Sequence, residues 1–222
     1  MGDFWGIMKD NFWELFLKGV EVTLPLTVIS FTLGLIIAVL TAMVQFANVK
    51  GLKQVARFYI WIIRGTPLLV QLYVLFYFLP TIGILLDPFP TAVLALSINE
   101  GAYCAETIRA SLEAVPAGQI EAGYCVGMSY DQTMRRVVIP QALRTAFPPL
   151  SNSLISMLKD TSLVANITVA EMMYLARQKM AVNFKILAMY LDVAIIYLFF
   201  STILTLLQRY GEKKLNQRGV KR

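Results

Sequence analysis

The chain has 222 residues, and its 57 % hydrophobic and 15 % charged make-up leaves too little polar surface for a soluble domain. The formal net charge of +6 does not point to nucleic acid, because the basic residues flank long apolar blocks and form no exposed stripe. The absence of histidine removes the commonest general base and metal ligand, so Ser-His and Cys-His nucleophiles are excluded.

The start, MGDFWGIMKDNFWE, lacks the basic opening of a cleavable signal. Gly6 stands where a myristoylation site needs Ser or Thr. No charge lies between Glu21 and Lys50, or between Arg64 and Asp87, and about 20 apolar residues suffice to cross the hydrocarbon core. Spans are therefore expected at 20–48 and 56–84. A third, at 88–113, runs from PFPTAVLALSIN into EGAYCAETI and carries Glu100 and Glu106. A fourth, at 138–163, contains TAFPPLSNSLISML and continues past Lys159 and Asp160; the last, at 186–209, is interrupted only by Asp192. Because backbone amides in lipid must be satisfied within the segment, the fold class is all-α: one polytopic domain over 1–222 with five transmembrane helices.

Five spans place the termini on opposite sides. Arg209, Lys213, Lys214, Arg218, Lys221 and Arg222 follow the last span, Lys50, Lys53 and Arg57 follow the first, and Arg135 and Arg136 precede the fourth. By the positive-inside rule these segments are cytoplasmic and the N-terminus is outside. Arg177, Lys179 and Lys185 fit this arrangement less well. The aromatic clusters FYIW, YVLFYF and YLFF read as interfacial anchors or lipid packing. Cys104 and Cys125 read as thiols, one in a membrane helix and one in a cytoplasmic loop.

The nearest approach to a phosphate-binding loop, Gly118 to Gly123, is followed by Tyr124 where lysine is needed, and no potassium-filter pentapeptide occurs. ATP-powered transport would need another subunit for the nucleotide. The stretch 116–136 is too polar to be membrane and reads as two short helices at an elbow. Pro116 opens the first, Gly127 closes it in a left-handed cap, and Ser129 with Gln132 forms a capping box for the second, with Asp131 in its first turn.

Glu121-Ala122-Gly123, three residues, Gly127, nine residues and Val137-Val138-Ile139-Pro140 together resemble the "EAA" signature of ABC importer permeases. Gly123 stands in place of the second alanine. The resemblance implies a type I importer transmembrane domain whose coupling helix seats on an ATPase, with Glu121, Ala122, Gly123 and Gly127 as contact candidates. RGTPLLVQLYVLFYFLP, ALSINEGAYCAETIRASLEAVPAGQ and PPLSNSLISMLKDTSLV are similar to the polar amino-acid branch of that family. The Asp87-Pro88 start, AETIRA, TMRR, LSNSLIS and LLQRYGEKKLNQ look most like cystine-type permeases.

Ionisable groups at membrane depth cost roughly 2.5–3.5 kcal/mol each, so they face a bundle interior or a wet path. Glu106, Arg109 and Glu113 are spaced for an ion-pair ladder along one helix. Asn99 and Glu100, followed by the small Gly101 and Ala102, are substrate candidates. Lys159 and Asp160 either neutralise each other or meet the carboxylate and ammonium of an amino acid. The resemblance implies a site between the third and fourth spans, which adds Thr161, with Thr66 and Gln71 on the second as outer candidates; Thr66-Pro67 also reads as a proline kink.

The function the resemblance implies is the permease of an ATP-driven importer in the bacterial inner membrane, for L-cystine or for glutamine, histidine or arginine. The chain would be no enzyme and bind no cofactor, ATP and magnesium residing on two ATPase partners. A second permease copy or paralogue and an external solute-binding protein would complete the assembly. The rival is an ion-coupled secondary transporter or channel, with the intramembrane acids binding the coupling ion.

Overall fold

The computed structural model describes residues 2–47 and 50–220. Asn48, the expected end of the first span, and Lys221 and Arg222 of the basic tail lie outside them. Ten α-helices make up most of the described residues, which contain no strand.

α1 (Gly2–Lys18) and α2 (Leu24–Phe46) are joined by a π-helical turn, Gly19–Thr23. Pro25 has no N–H to donate to the preceding turn, and the wider winding carries the helix past it, the Leu24 N–H reaching the Gly19 carbonyl. The resulting helical stretch of 42 residues, Trp5–Phe46, begins well before residue 20. Its polar start is held by Leu15 and Phe16 packing against Phe200 and by Glu14 pairing with Lys179 at 2.5 Å. A second π turn, Met134–Val138, stands in the same relation to Pro140.

The segment 56–84 is not one helix. α3 (Leu52–Gly65) and α4 (Leu68–Thr81) meet at 108°. Thr66, pushed to extended dihedrals ahead of proline (φ −123°, ψ 145°), makes the junction a break and not a kink. α5 (Pro88–Glu113) is followed by the elbow helices α6 (Ala117–Cys125) and α7 (Tyr130–Thr133), then α8 (Ile139–Asp160). A 3-10 segment, Thr161–Ile167, leads to α9 (Met172–Asn183), a helix with no counterpart in the sequence reading, capped by the buried Glu171 accepting from the Tyr174 N–H at 2.9 Å. α10 runs Ile186–Val220, beyond the expected 209.

By length and apolar composition two helical stretches, Trp5–Phe46 and Ile186–Leu215, are long and apolar enough to cross a membrane, or three with the bent α3–α4 pair. α5 and α8 carry too many polar residues for that measure.

The most extensive packing is α2 on α5, and small residues make it possible. Ser30, Gly34, Ala38 and Ala42 form a buried stripe at four-residue spacing, facing a second stripe of Ser97, Gly101 and Ala105. A methyl on Gly34 would lie 3.1 Å from the Ser97 carbonyl oxygen, and one on Gly101 would lie 2.7 Å from Ile37 Cγ2. Ser97 Oγ donates across the seam to the Ser30 carbonyl at 3.1 Å. The core continues in two directions. Leu26, Leu72, Leu96, Met157 and Ile167 join α2, α4, α5, α8 and the 3-10 segment; Leu15, Leu158, Met172 and Ile196 join α1, α8, α9 and α10.

Candidate substrate cleft and coupling elbow

Pro67 denies its turn an N–H, so the Ile63 carbonyl lacks its helical partner. Gln71 Nε2 supplies one at 2.8 Å and also reaches the Thr66 carbonyl at 3.0 Å and Thr66 Oγ1 at 2.9 Å. Its Oε1 accepts from Asn99 Nδ2 at 2.9 Å. One glutamine thus closes the α3–α4 break and ties it to α5.

Beside this junction a cleft of about 540 Å³ opens between the break, α5 and α8. Thr66, Asn99 and Glu100 line it on one side and Asp160 on the other. Four of the expected site residues therefore come together, and Gln71 stands behind them through Asn99. Lys159 and Thr161 are not among its lining residues: Lys159 is exposed, while Thr161 is fully buried and donates to the Leu158 carbonyl at 2.6 Å. Glu100 is buried, 7 % exposed, and accepts a hydrogen bond from Cys104 Sγ at 3.0 Å.

The wall contributed by α8 carries Asn152, Ser153 and Ser156, and α5 adds Tyr103 and Thr107, none of which the sequence reading selected. Asn152 and Ser156 share one helical face, and that spacing within PPLSNSLIS was the available signal. Arg64 stacks over the Tyr103 ring at 5.4 Å, placing a guanidinium beside the cleft. The chamber offers carboxylates for an ammonium, and amide and hydroxyl donors with a nearby cation for a carboxylate. Its volume is in the range of small-ligand sites.

About two and a half turns beyond Glu100 on α5, Arg109 donates through Nε to Glu106 at 3.1 Å and through Nη1 to Glu113 at 2.6 Å, and its Nη2 also pairs with Glu106. The expected ladder is formed.

At the elbow, Gly127 has φ +78°. Its N–H donates to the Tyr124 carbonyl at 2.9 Å and the Met128 N–H to the Gly123 carbonyl at 3.0 Å, the paired bonds of a Schellman cap. Ser129 N–H donates to Gln132 Oε1 at 3.1 Å, and Ser129 Oγ accepts from the Gln132 N–H at 3.3 Å, so both ends of the turn are satisfied. Gly123 is buried against Thr133: a methyl there would lie 2.8 Å from its hydroxyl oxygen. Glu121 and Ala122 are exposed, with Tyr124, Val126 and Tyr130 beside them. Leu112, Val115, Met134, Val138 and Ala142 form the apolar base joining the elbow to α5 and α8. A face with one carboxylate among exposed aromatic and small residues suits protein contact.

Residues 22–217 match the family of binding-protein-dependent transport system inner membrane components. The chain is 45 % identical over 214 residues to the L-cystine transport system permease protein TcyB of Bacillus subtilis, covering 96 % of this chain and 92 % of that protein. It is 39 % identical over 210 residues to PatM of Vibrio harveyi, a probable amino-acid ABC transporter permease, covering 93 % and 94 % of the two chains. Among solved structures, an amino acid ABC transporter crystallised with histidines superimposes with a TM-score of 0.88 at 36 % identity, over 95 % of this chain and 98 % of that one.

Proposed function

The chain belongs to the family of binding-protein-dependent transport system inner membrane components, as an amino-acid ABC permease, and on that premise we propose that it forms the translocation path of an ATP-driven L-cystine importer. The observation that carries the substrate is the 45 % identity to a cystine permease along nearly the whole of both chains. The cleft chemistry agrees: cystine carries two ammonium and two carboxylate groups, and Glu100 and Asp160 share the cleft lining with the amides and hydroxyls of Asn99, Asn152 and Ser156. A cationic amino acid is the second reading, favoured by the same two carboxylates.

In this reading five crossings span the membrane: α1–α2, the bent α3–α4 pair, α5, α8 and α10, with the N-terminus outside and the elbow and C-terminus in the cytoplasm. Two ATPase subunits, a second permease copy or paralogue and an external binding protein complete the transporter. ATP and magnesium act on the ATPases. Glu121, Ala122, Gly123 and Gly127 form the ATPase contact. Closure of the ATPases moves α6, the rigid Schellman cap passes that motion to α8, and α8 is one wall of the cleft. Asn99, Glu100 and Asp160 contact substrate, and Thr66 and Gln71 hold the opposite wall in place. Lys159 and Thr161 serve as flanking positions that set how α8 enters the 3-10 segment.

Uptake of radiolabelled L-cystine and, separately, of radiolabelled arginine into vesicles holding the full transporter tests the substrate, with unlabelled cystine, arginine, histidine and glutamine as competitors. Cystine competing best supports the first reading. Arginine competing best and cystine not at all would replace it with the second.

A further inference from the structure

Closer to the elbow a second cleft, of about 310 Å³, opens between the end of α2, α3 and α5. Its polar lining is Gln45, Lys53, Arg57, Glu106, Arg109 and Glu113. The two carboxylates are already engaged by Arg109. Lys53 and Arg57 stand one turn apart on α3, and three cations against two carboxylates leave the cleft one positive charge in excess. Gln45 is only 7 % exposed, and its Nε2 is buried with no hydrogen-bond partner. A buried amide N–H beside a guanidinium and an ammonium calls for an anionic acceptor.

The surroundings indicate where that anion comes from. Trp61, which also lines the cleft, is 69 % exposed, and Phe58 is 59 % exposed with its ring 5.9 Å from that of Trp61. Leu52, Val55 and Ile62 are exposed on the same helix. Basic residues on a short helix that also exposes aromatic and aliphatic side chains are the pattern of the membrane interface. We propose that this cleft binds the phosphodiester of an anionic phospholipid. Arg57, Lys53 and the Gln45 amide hold the phosphate, and the acyl chains lie along Phe58 and Trp61. The single negative charge of a phosphodiester matches the single excess positive charge, and basic pockets between membrane helices suit such headgroups. The site is separate from the substrate cleft, so its occupancy is read without any transport measurement.

The test uses the purified transporter with its ATPase subunits, stripped of lipid and titrated with phosphatidylglycerol or phosphatidylcholine, the bound lipid being counted by native mass spectrometry. A parallel titration contains excess inorganic phosphate. The expected result is retention of phosphatidylglycerol over phosphatidylcholine, undisturbed by phosphate. Retention should fall about fivefold in Arg57→Gln, fall likewise in Gln45→Leu, and persist in Arg57→Lys. If Arg57→Gln does not assemble, Gln45→Leu decides by the same count. Equal retention of the two lipids, or unchanged retention in the variants, overturns the proposal; displacement by inorganic phosphate assigns the cleft to a free anion and overturns it too.

Discussion

Gln71 Nε2 donates to the Ile63 carbonyl at 2.8 Å, the carbonyl that Pro67 leaves without a helical donor. The bend of 108° that shapes one wall of the candidate cleft is therefore held by a side chain placed one turn beyond the break.

Gln71→Leu should destabilise the protein by about 0.5–1.5 kcal/mol, because a partly buried carbonyl loses its donor. Thermal unfolding in nanodiscs measures this. Adding Pro67→Ala restores an N–H at position 67 and should recover part of the loss. An unchanged midpoint in the single variant contradicts the stapling role.

Gly101→Ala places a methyl 2.7 Å from Ile37 Cγ2 and 2.8 Å from Tyr59 Oη, and overpacking of this kind costs about 1–3 kcal/mol. Gly118, with open space around it, is the control: Gly118→Ala should leave the unfolding midpoint level or slightly raised. Equal effects at the two sites would show that α2 and α5 are not in close contact.

Glu100→Gln keeps the shape of the side chain and removes its charge. If the carboxylate meets the substrate ammonium, the loss of a buried charge pair of about 2–5 kcal/mol raises the KM for uptake by tenfold or more. Asn152→Ala, which removes a neutral contact across the cleft, should cost about 0.5–1.5 kcal/mol. Unchanged KM values in both variants move the substrate elsewhere.

Glu121 is exposed, so Glu121→Lys should insert and fold normally while losing ATPase subunits on co-purification, or losing transport if they remain. Gly123→Ala should do the same by a different route, since a methyl there meets Thr133 and displaces α6 from its seat. Normal assembly and transport in both variants would remove the elbow from the coupling path.

Local features read from the sequence largely reappear in three dimensions where one short stretch determines them. The cap at Gly127, the box of Ser129 and Gln132, and the ladder at Glu106, Arg109 and Glu113 depend on spacing alone. The break at Pro67 was legible as a proline effect but not in size, because the 108° bend is held by Gln71, reaching back across the break, and by Asn99, supplied by α5. α9 escaped notice because its cap, Glu171, looks like an exposed charge in sequence and is buried between Thr23 and Tyr197 in the fold.

The cleft was half legible. Asn99, Glu100 and Asp160 stand out as ionisable or amide groups in apolar surroundings. Asn152, Ser153 and Ser156 do not, since small polar residues in a membrane helix serve helix packing as readily as ligands. Lys159 and Asp160 are neighbours in sequence, yet only Asp160 lines the cleft, because adjacent helical residues point about 100° apart.

ATP-driven transport through this chain is tested most directly by L-cystine uptake into vesicles containing the permease and its binding protein, with and without the ATPase subunits. Uptake that requires both the ATPases and ATP, and that an imposed ion gradient cannot replace, is the predicted result. Accumulation driven by an ion gradient with no ATPase present would contradict it.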